Sequence, residues 1–287
     1  MFVDLHVHTC LSDGSDTVAQ VLTRAKENGL SVIAVTDHNT LAAYEGEEIK
    51  TAKELGITVI PGVEIDVIHD GRSHHMLGLG VDPRCRSLLA VCADSEKKQE
   101  DYNVALLKLL ERDVPGISKE AYDQYTIPAG RGGWKLLNYL LDLEITHELR
   151  EGLRFYMQYQ FNPKDIPFVS LEEAAQAVKA AGGVPIIAHP GEDIPYNPYE
   201  TDHSDFWQAL ESILLTGVEG VECIHPVHDF ELEQKLIAFC ERRGLLISGG
   251  SDYHGQFFSR AKTKIGGQFV QSKTVEKLLE RVRVWEE

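Results

Sequence analysis

Short apolar runs rich in β-branched residues recur along the chain, separated by stretches whose apolar positions repeat every three or four residues. The runs are 2–7, 31–35, 58–63, 76–81, 184–188, 218–224 and 245–248, and they predict buried strands. Amphipathic stretches at 18–27, 40–55, 171–181, 206–215, 231–243 and 274–285 predict helices around them. Ser170 followed by Glu173 marks a capping box at the start of one of these. Short buried strands alternating with helices make βα units and a largely parallel sheet, and about seven such strands point to a barrel.

Residues 84–168 break this rhythm. They read as helical at 87–110, 133–141 and 147–160 with no strand between. The expected organisation is a barrel domain formed by 1–83 and 169–287, interrupted by a helical insertion domain at 84–168.

Composition narrows the function. With 287 residues, 43% of them apolar and 25% charged, the chain can bury a large core unaided, so any metal it takes is expected to be functional rather than structural. No run reaches the ~18 apolar residues of a membrane span, and the N-terminus lacks a basic segment followed by an apolar core, so a cytoplasmic location and no membrane partner are expected. Five scattered cysteines make no disulfide framework. The net charge of −17 argues against long nucleic acid as a partner, because phosphate-backbone affinity depends on Lys and Arg. A small anionic substrate fits only if bound cations reverse the local field.

The histidines supply those cation sites. His6 and His8 end the first predicted strand, and alternation puts both on one face, roughly 6–7 Å apart at Cα, which suits two imidazoles on one metal. Asp13 follows in a Ser-Asp-Gly turn, His38 and Glu64 end the next two strands, and His75 opens the fourth. His189 ends the fifth, and Asp252 and His254 follow the last. Alone, a strand-end histidine is more often a satisfied polar residue than a ligand, and Asp13 alone is a turn residue. Together they change the odds. The C-terminal ends of parallel barrel strands converge on one rim, where nine imidazoles and carboxylates without cations would repel one another or stay unsatisfied.

In these motifs the sequence resembles the polymerase-and-histidinol-phosphatase (PHP) family of metal-dependent phosphoesterases over nearly its whole length. The matching segments are His6-Val7-His8, Ser12-Asp13-Gly14, Thr36-Asp37-His38, Gly62-Val63-Glu64, His75-Met76-Leu77-Gly78, Ala188-His189-Pro190 and Ser251-Asp252-Tyr253-His254. The segments 170–191, and Gly220-Val221-Glu222 with His225-Pro226-Val227-His228, are similar to the stand-alone branch acting on nucleoside 3′,5′-bisphosphates or short RNA 5′ ends.

The resemblance implies a distorted (β/α)7 barrel, related to the TIM barrel, with a helical insertion domain. It also implies two or three divalent metal ions, manganese, iron or zinc. One would be held by His6, His8, Glu64 and Asp252, a second by Glu64, His75 and His189, and a third by Asp13, His38 and His254. Glu64, Asp252 and His254 are the expected catalytic residues, with Glu64 bridging two cations. His74 lies beside His75, and register favours His75 as the ligand. The branch carries Gly-Arg-Pro-His on its insertion, whereas this chain reads Gly130-Arg131-Gly132-Gly133. The retained Arg131 is expected to hold a substrate phosphate, with His225 as a second contact. Trp134 or Tyr122 could offer an aromatic face, although a core role is the more frequent one. The expected activity is hydrolysis of a phosphomonoester on a small nucleotide. Histidinol phosphate, short RNA and a non-catalytic metal-binding module stand as alternatives.

Overall fold

Parallel pairing dominates the sheet, with one reversal that shapes the functional rim. In the computed structural model, residues 1–161, 166–199, 202–256 and 263–286 are described. The parts of the expected domain ranges at 162–165, 200–201, 257–262 and 287 lie outside the described residues. The strands are β1 (Phe2–Asp4), β2 (Leu30–Val35), β3 (Thr58–His69), β4 (Arg72–Leu79), β5 (Val169–Ser170), β6 (Val184–Ile187), β7 (Gly220–Ile224) and β8 (Leu246–Gly249). The sheet order is β1-β2-β3-β4-β6-β7-β8, and the short β5 pairs with β3.

The sheet's two edges are tied together beyond the strand ends. Leu5 N donates to Gly249 O at 3.2 Å, Asp252 N to His6 O at 2.9 Å, and His8 N to Tyr253 O at 2.9 Å. The sheet thus curls on itself toward the barrel expected from the alternation of strands and helices.

The helices are α1 (Val18–Glu27), α2 (Thr51–Leu55), α3 (Arg86–Asp113), α4 (Lys119–Gln124), α5 (Lys135–Asp142), α6 (Leu153–Gln158), α7 (Leu171–Ala180), α8 (Pro190–Asp193), α9 (Ser204–Leu214), α10 (Phe230–Arg243) and α11 (Glu276–Leu279). Their ends follow local chemistry. Thr17 and Gln20 form a capping box on α1, Ser170 Oγ accepts from Glu173 N at α7, and Asp229 Oδ1 accepts from Leu232 N at α10. Two expected helices are much shorter than their apolar pattern. In the 40–55 stretch, Tyr44 turns inward so that its hydroxyl donates to Val35 O and accepts from Gly62 N, and only α2 and two 3₁₀ turns form. At the C-terminus, Trp285 N donates to Val59 O, which draws the tail onto the sheet and leaves α11 at one turn.

The main departure is β4. An all-parallel sheet would carry it alongside β3, yet it runs antiparallel to both β3 and β6. Asp70 and Gly71, at φ of 47° and 71°, make a two-residue turn with both centres left-handed, the geometry that matches hairpin twist. Reversal places the start of β4, not its end, at the rim. His75 pairs with Asp66 of β3, and its carbonyl accepts from Ala188 N just before His189.

Apolar side chains form two separate clusters. One fills the barrel and its helical cover. The other includes Leu106, Tyr122, Leu137, Leu149 and Tyr156 of residues 84–168. The second touches the rim through glycine. Gly133 N donates to Ser12 O at 2.8 Å, and a Cβ on Gly132 would fall 1.9 Å from Gly14 O. Among the described residues no helix is long and apolar enough to cross a membrane.

Candidate metal centre

His6 and His8 leave β1 on one face, as alternation requires, and their Nε2 atoms come within 3.1 Å of each other. Both lie 3.0 Å from Glu64 Oε2, and Asp252 Oδ1 is 3.3 Å from His6 Nε2 and 3.2 Å from His8 Nε2. Ligands ~2.1 Å from one cation stand roughly 3.0–3.4 Å apart in octahedral or tetrahedral geometry. The four side chains fit such a cation.

The other Glu64 oxygen faces a different pair. Its Oε1 is 3.1 Å from His189 Nε2 and 3.4 Å from His75 Nδ1, and those two nitrogens are 3.2 Å apart. A third group gathers on the far side of His8, where Asp13 Oδ2 lies 3.2 Å from His254 Nε2 and 3.9 Å from His38 Nε2. His38 Nε2 is also 3.3 Å from Glu64 Oε2. All nine rim residues named from the sequence are therefore brought together, with Glu64 at the centre.

A further ring of carboxylates holds the imidazoles from behind. Glu222 Oε1 lies 3.0 Å from His6 Nδ1, and its Oε2 accepts from His189 N, whose residue sits at φ +20°. Asp66 Oδ1 is 3.1 Å from His38 Nδ1 and 3.2 Å from His75 Nε2. Asp37 accepts from Thr9 N, Thr9 Oγ1 and Ser12 Oγ, which fixes the loop carrying Asp13. Glu222 and Asp37 stand inside the matching motifs, whereas Asp66 lies outside them. The available signal was a carboxylate inside a buried apolar run, as in Val221-Glu222-Cys223, which needs a partner to be tolerated.

The charges are strongly coupled. Burial pushes Glu64 up, but His6, His38 and His75 hold it well below the usual carboxylate range. Burial likewise opposes the charge on His254, yet Asp13 and Asp252 raise it to about 9. So many buried carboxylates require positive charge among them, from protonated imidazoles or from cations.

The other candidates separate clearly. His225 lines the cleft above the cluster, with Nε2 3.4 Å from Asp252 Oδ2. His228 lies behind it, Nδ1 on Cys223 O and Nε2 accepting from Gly191 N. His74 is buried on the opposite face of β4 from His75, and burial pushes it down to about 4. Arg131 is not brought to the cleft wall; it is paired with Asp142 at 2.6 Å. Tyr122 is buried in the second cluster, whereas Trp134 lines the cleft together with Arg150.

A PHP domain model matches residues 4–130. A phosphoribosyl 1,2-cyclic phosphate 1,2-diphosphodiesterase of Eggerthella lenta is 30% identical, over 90% of this chain and 95% of that protein. The chain belongs to the PHP family. A second relative, a 3′,5′-nucleoside bisphosphate phosphatase of Chromobacterium violaceum, is 27% identical over 88% of this chain and 87% of that protein. A solved structure from Bifidobacterium adolescentis, assigned to the metal-dependent phosphoesterases, superposes with a TM-score of 0.78 at 25% identity, covering 98% of this chain and 96% of that one. This PHP protein is accordingly a metal-dependent phosphoesterase, and divalent metal ions belong to its chemistry.

Proposed function

We propose that the cleft hydrolyses a phosphomonoester on a small nucleotide of the nucleoside 3′,5′-bisphosphate type. The observation that carries this reading is Glu64, whose two oxygens each meet a separate set of imidazoles. A carboxylate so placed is suited to hold two cations side by side. In this reading His6, His8 and Asp252 complete one site, His75 and His189 the second, and Asp13, His38 and His254 a third.

Divalent cations, if held by these residues, would make hydroxide available at neutral pH and offset charge building on the phosphoryl oxygens. The protein's part is placement. Asp252 and His254 stand on the cleft wall beside Glu64, so a phosphate entering there is held against the cluster. Hydroxide adds to phosphorus, the bond to the ester oxygen breaks, and the leaving alkoxide takes up a proton to give an alcohol and inorganic phosphate. The relatives' names support the substrate class, since both carry phosphate on a ribosyl or nucleoside unit. The Eggerthella lenta relative also favours a second reading, a cyclic phosphate on a phosphorylated ribose.

The test is phosphate release from adenosine 3′,5′-bisphosphate by manganese-loaded protein, beside chelated protein and His6→Ala. Release lost in both controls is expected. Fully metal-loaded protein that left this substrate untouched would overturn the nucleotide assignment and turn attention to phosphoribosyl cyclic phosphate, histidinol phosphate and short RNA.

A further inference from the structure

The cleft is much larger than one phosphate. It encloses about 610 Å³, within the range of sites that hold a whole small molecule. Its lining includes the cluster around Glu64 and, from residues 84–168, Trp134, Arg150, Ile166 and Phe168. A phosphoryl group at the cluster therefore leaves room in the same cleft for the rest of its molecule.

Charge decides what the cleft accepts. Asp66, Glu192 and Asp193 also line the cleft, and the chain carries a net charge of −17. In so acidic a cleft a second phosphate needs a cation of its own. Arg150 is the one Lys or Arg among the described residues of the cleft wall. A guanidinium is planar, always charged and matched to two phosphate oxygens at once.

The backbone under Arg150 is well fixed. It lies on the 3₁₀ turn Leu149–Gly152, where Leu149 and Gly152 are both buried. A Cβ on Gly152 would come 2.6 Å from Leu137 Cδ2, so the turn sits tightly on α5. Trp134, the N-cap of α5, lines the same cleft, and its ring packs edge-on to Tyr156 at 5.7 Å. One packed unit thus carries both a cation and an aromatic face.

We propose that Arg150 anchors a second, non-reacting phosphate of the substrate, so that the enzyme selects sugar or nucleoside phosphates bearing two phosphate groups. This rests on the phosphoesterase reading above and assigns the selecting role to Arg150 rather than Arg131. The phosphate held by Arg150 keeps all its bonds; only the ester at the cluster is cleaved.

Arg150→Met, Arg150→Lys and Arg131→Met, all manganese-loaded, are compared on adenosine 3′,5′-bisphosphate and on adenosine 3′-phosphate, which lacks the second group. Arg150→Met should raise KM for the bisphosphate about 10- to 100-fold with kcat retained, the loss expected for a charge-assisted contact. Turnover of adenosine 3′-phosphate should stay at the wild-type level. Calorimetric binding of adenosine 5′-phosphate should weaken by a similar factor without any turnover. Arg150→Lys should recover part of the loss, and Arg131→Met should match wild type.

An equal fall in kcat on both substrates, an unchanged KM, or the selective loss appearing in Arg131→Met would overturn the proposal. Wild-type protein that hydrolyses neither nucleotide would sink the nucleotidase reading and this inference with it. Wild-type protein that hydrolyses both equally, with Arg150→Met neutral, would sink this inference alone.

Discussion

The Glu222 carboxylate lies 3.0 Å from His6 Nδ1, and both side chains are 0% exposed. A neutral His6 in this contact carries its proton on Nδ1 and turns the Nε2 lone pair toward Glu64, His8 and Asp252. The second oxygen of the same carboxylate holds the backbone of His189. One buried group thereby positions ligands proposed for two different cations.

Glu222→Gln keeps the shape but leaves one acceptor where two donors point, and adds an NH₂ with no acceptor. Metal affinity should fall about 10- to 100-fold, as for other partners of metal-bound histidines. Competition with a chelating indicator measures this directly. Wild-type affinity in the variant would show that Glu222 is merely a buried polar residue.

Gly132 lets residues 130–133 lie against the Asp13 turn, since any Cβ there would meet Gly14 O at 1.9 Å. Gly132→Ala should push that loop off and shift Asp13 without touching the barrel core. The expected result is weaker binding of one ion, an activity loss of about tenfold or more, and a nearly unchanged thermal midpoint. A variant with full metal content and activity would mean that the contact does not set Asp13.

His228 gives a pH dependence with a definite sign. Burial lowers it from 6.5 to about 4, against the hydrogen bond to Cys223 O, which raises it. The folded state therefore favours neutral His228. Its contribution is full above pH ~6.5 and is lost as pH falls toward 4. Over that window the loss is roughly 3 kcal/mol. His228→Gln can donate to Cys223 O and accept from Gly191 N without titrating. In chelator, the stability gap between wild type and this variant should shift in the variant's favour from pH 7 to pH 4. A gap constant with pH would contradict the assignment.

Much of this architecture was legible because βα alternation is written in apolar spacing, and strand ends in a curled sheet must converge. His6, His8 and Glu64 could be named from that alone. The reversal of β4 was less visible, since a short apolar run carries no direction. The Asp70-Gly71 pair was the sign that it belonged to a hairpin. The different placement of the two arginines was not legible. Whether Arg131 or Arg150 meets the cleft depends on how α5 packs on the Leu149–Gly152 turn, a matter of tertiary contacts. The roles of Glu222 and Asp66 are not legible in the sequence, because a carboxylate within a strand reveals its partner only once the neighbouring strands are in place.

In the proposed mechanism Glu64 joins two metal sites into one hydrolytic centre. Metal content and phosphate release, measured together on wild type and Glu64→Gln, test it most directly. Wild type should hold two or three ions per chain, with the variant losing bound metal and adenosine 3′,5′-bisphosphate hydrolysis in step. A Glu64→Gln protein that kept its full metal content and its turnover would contradict it.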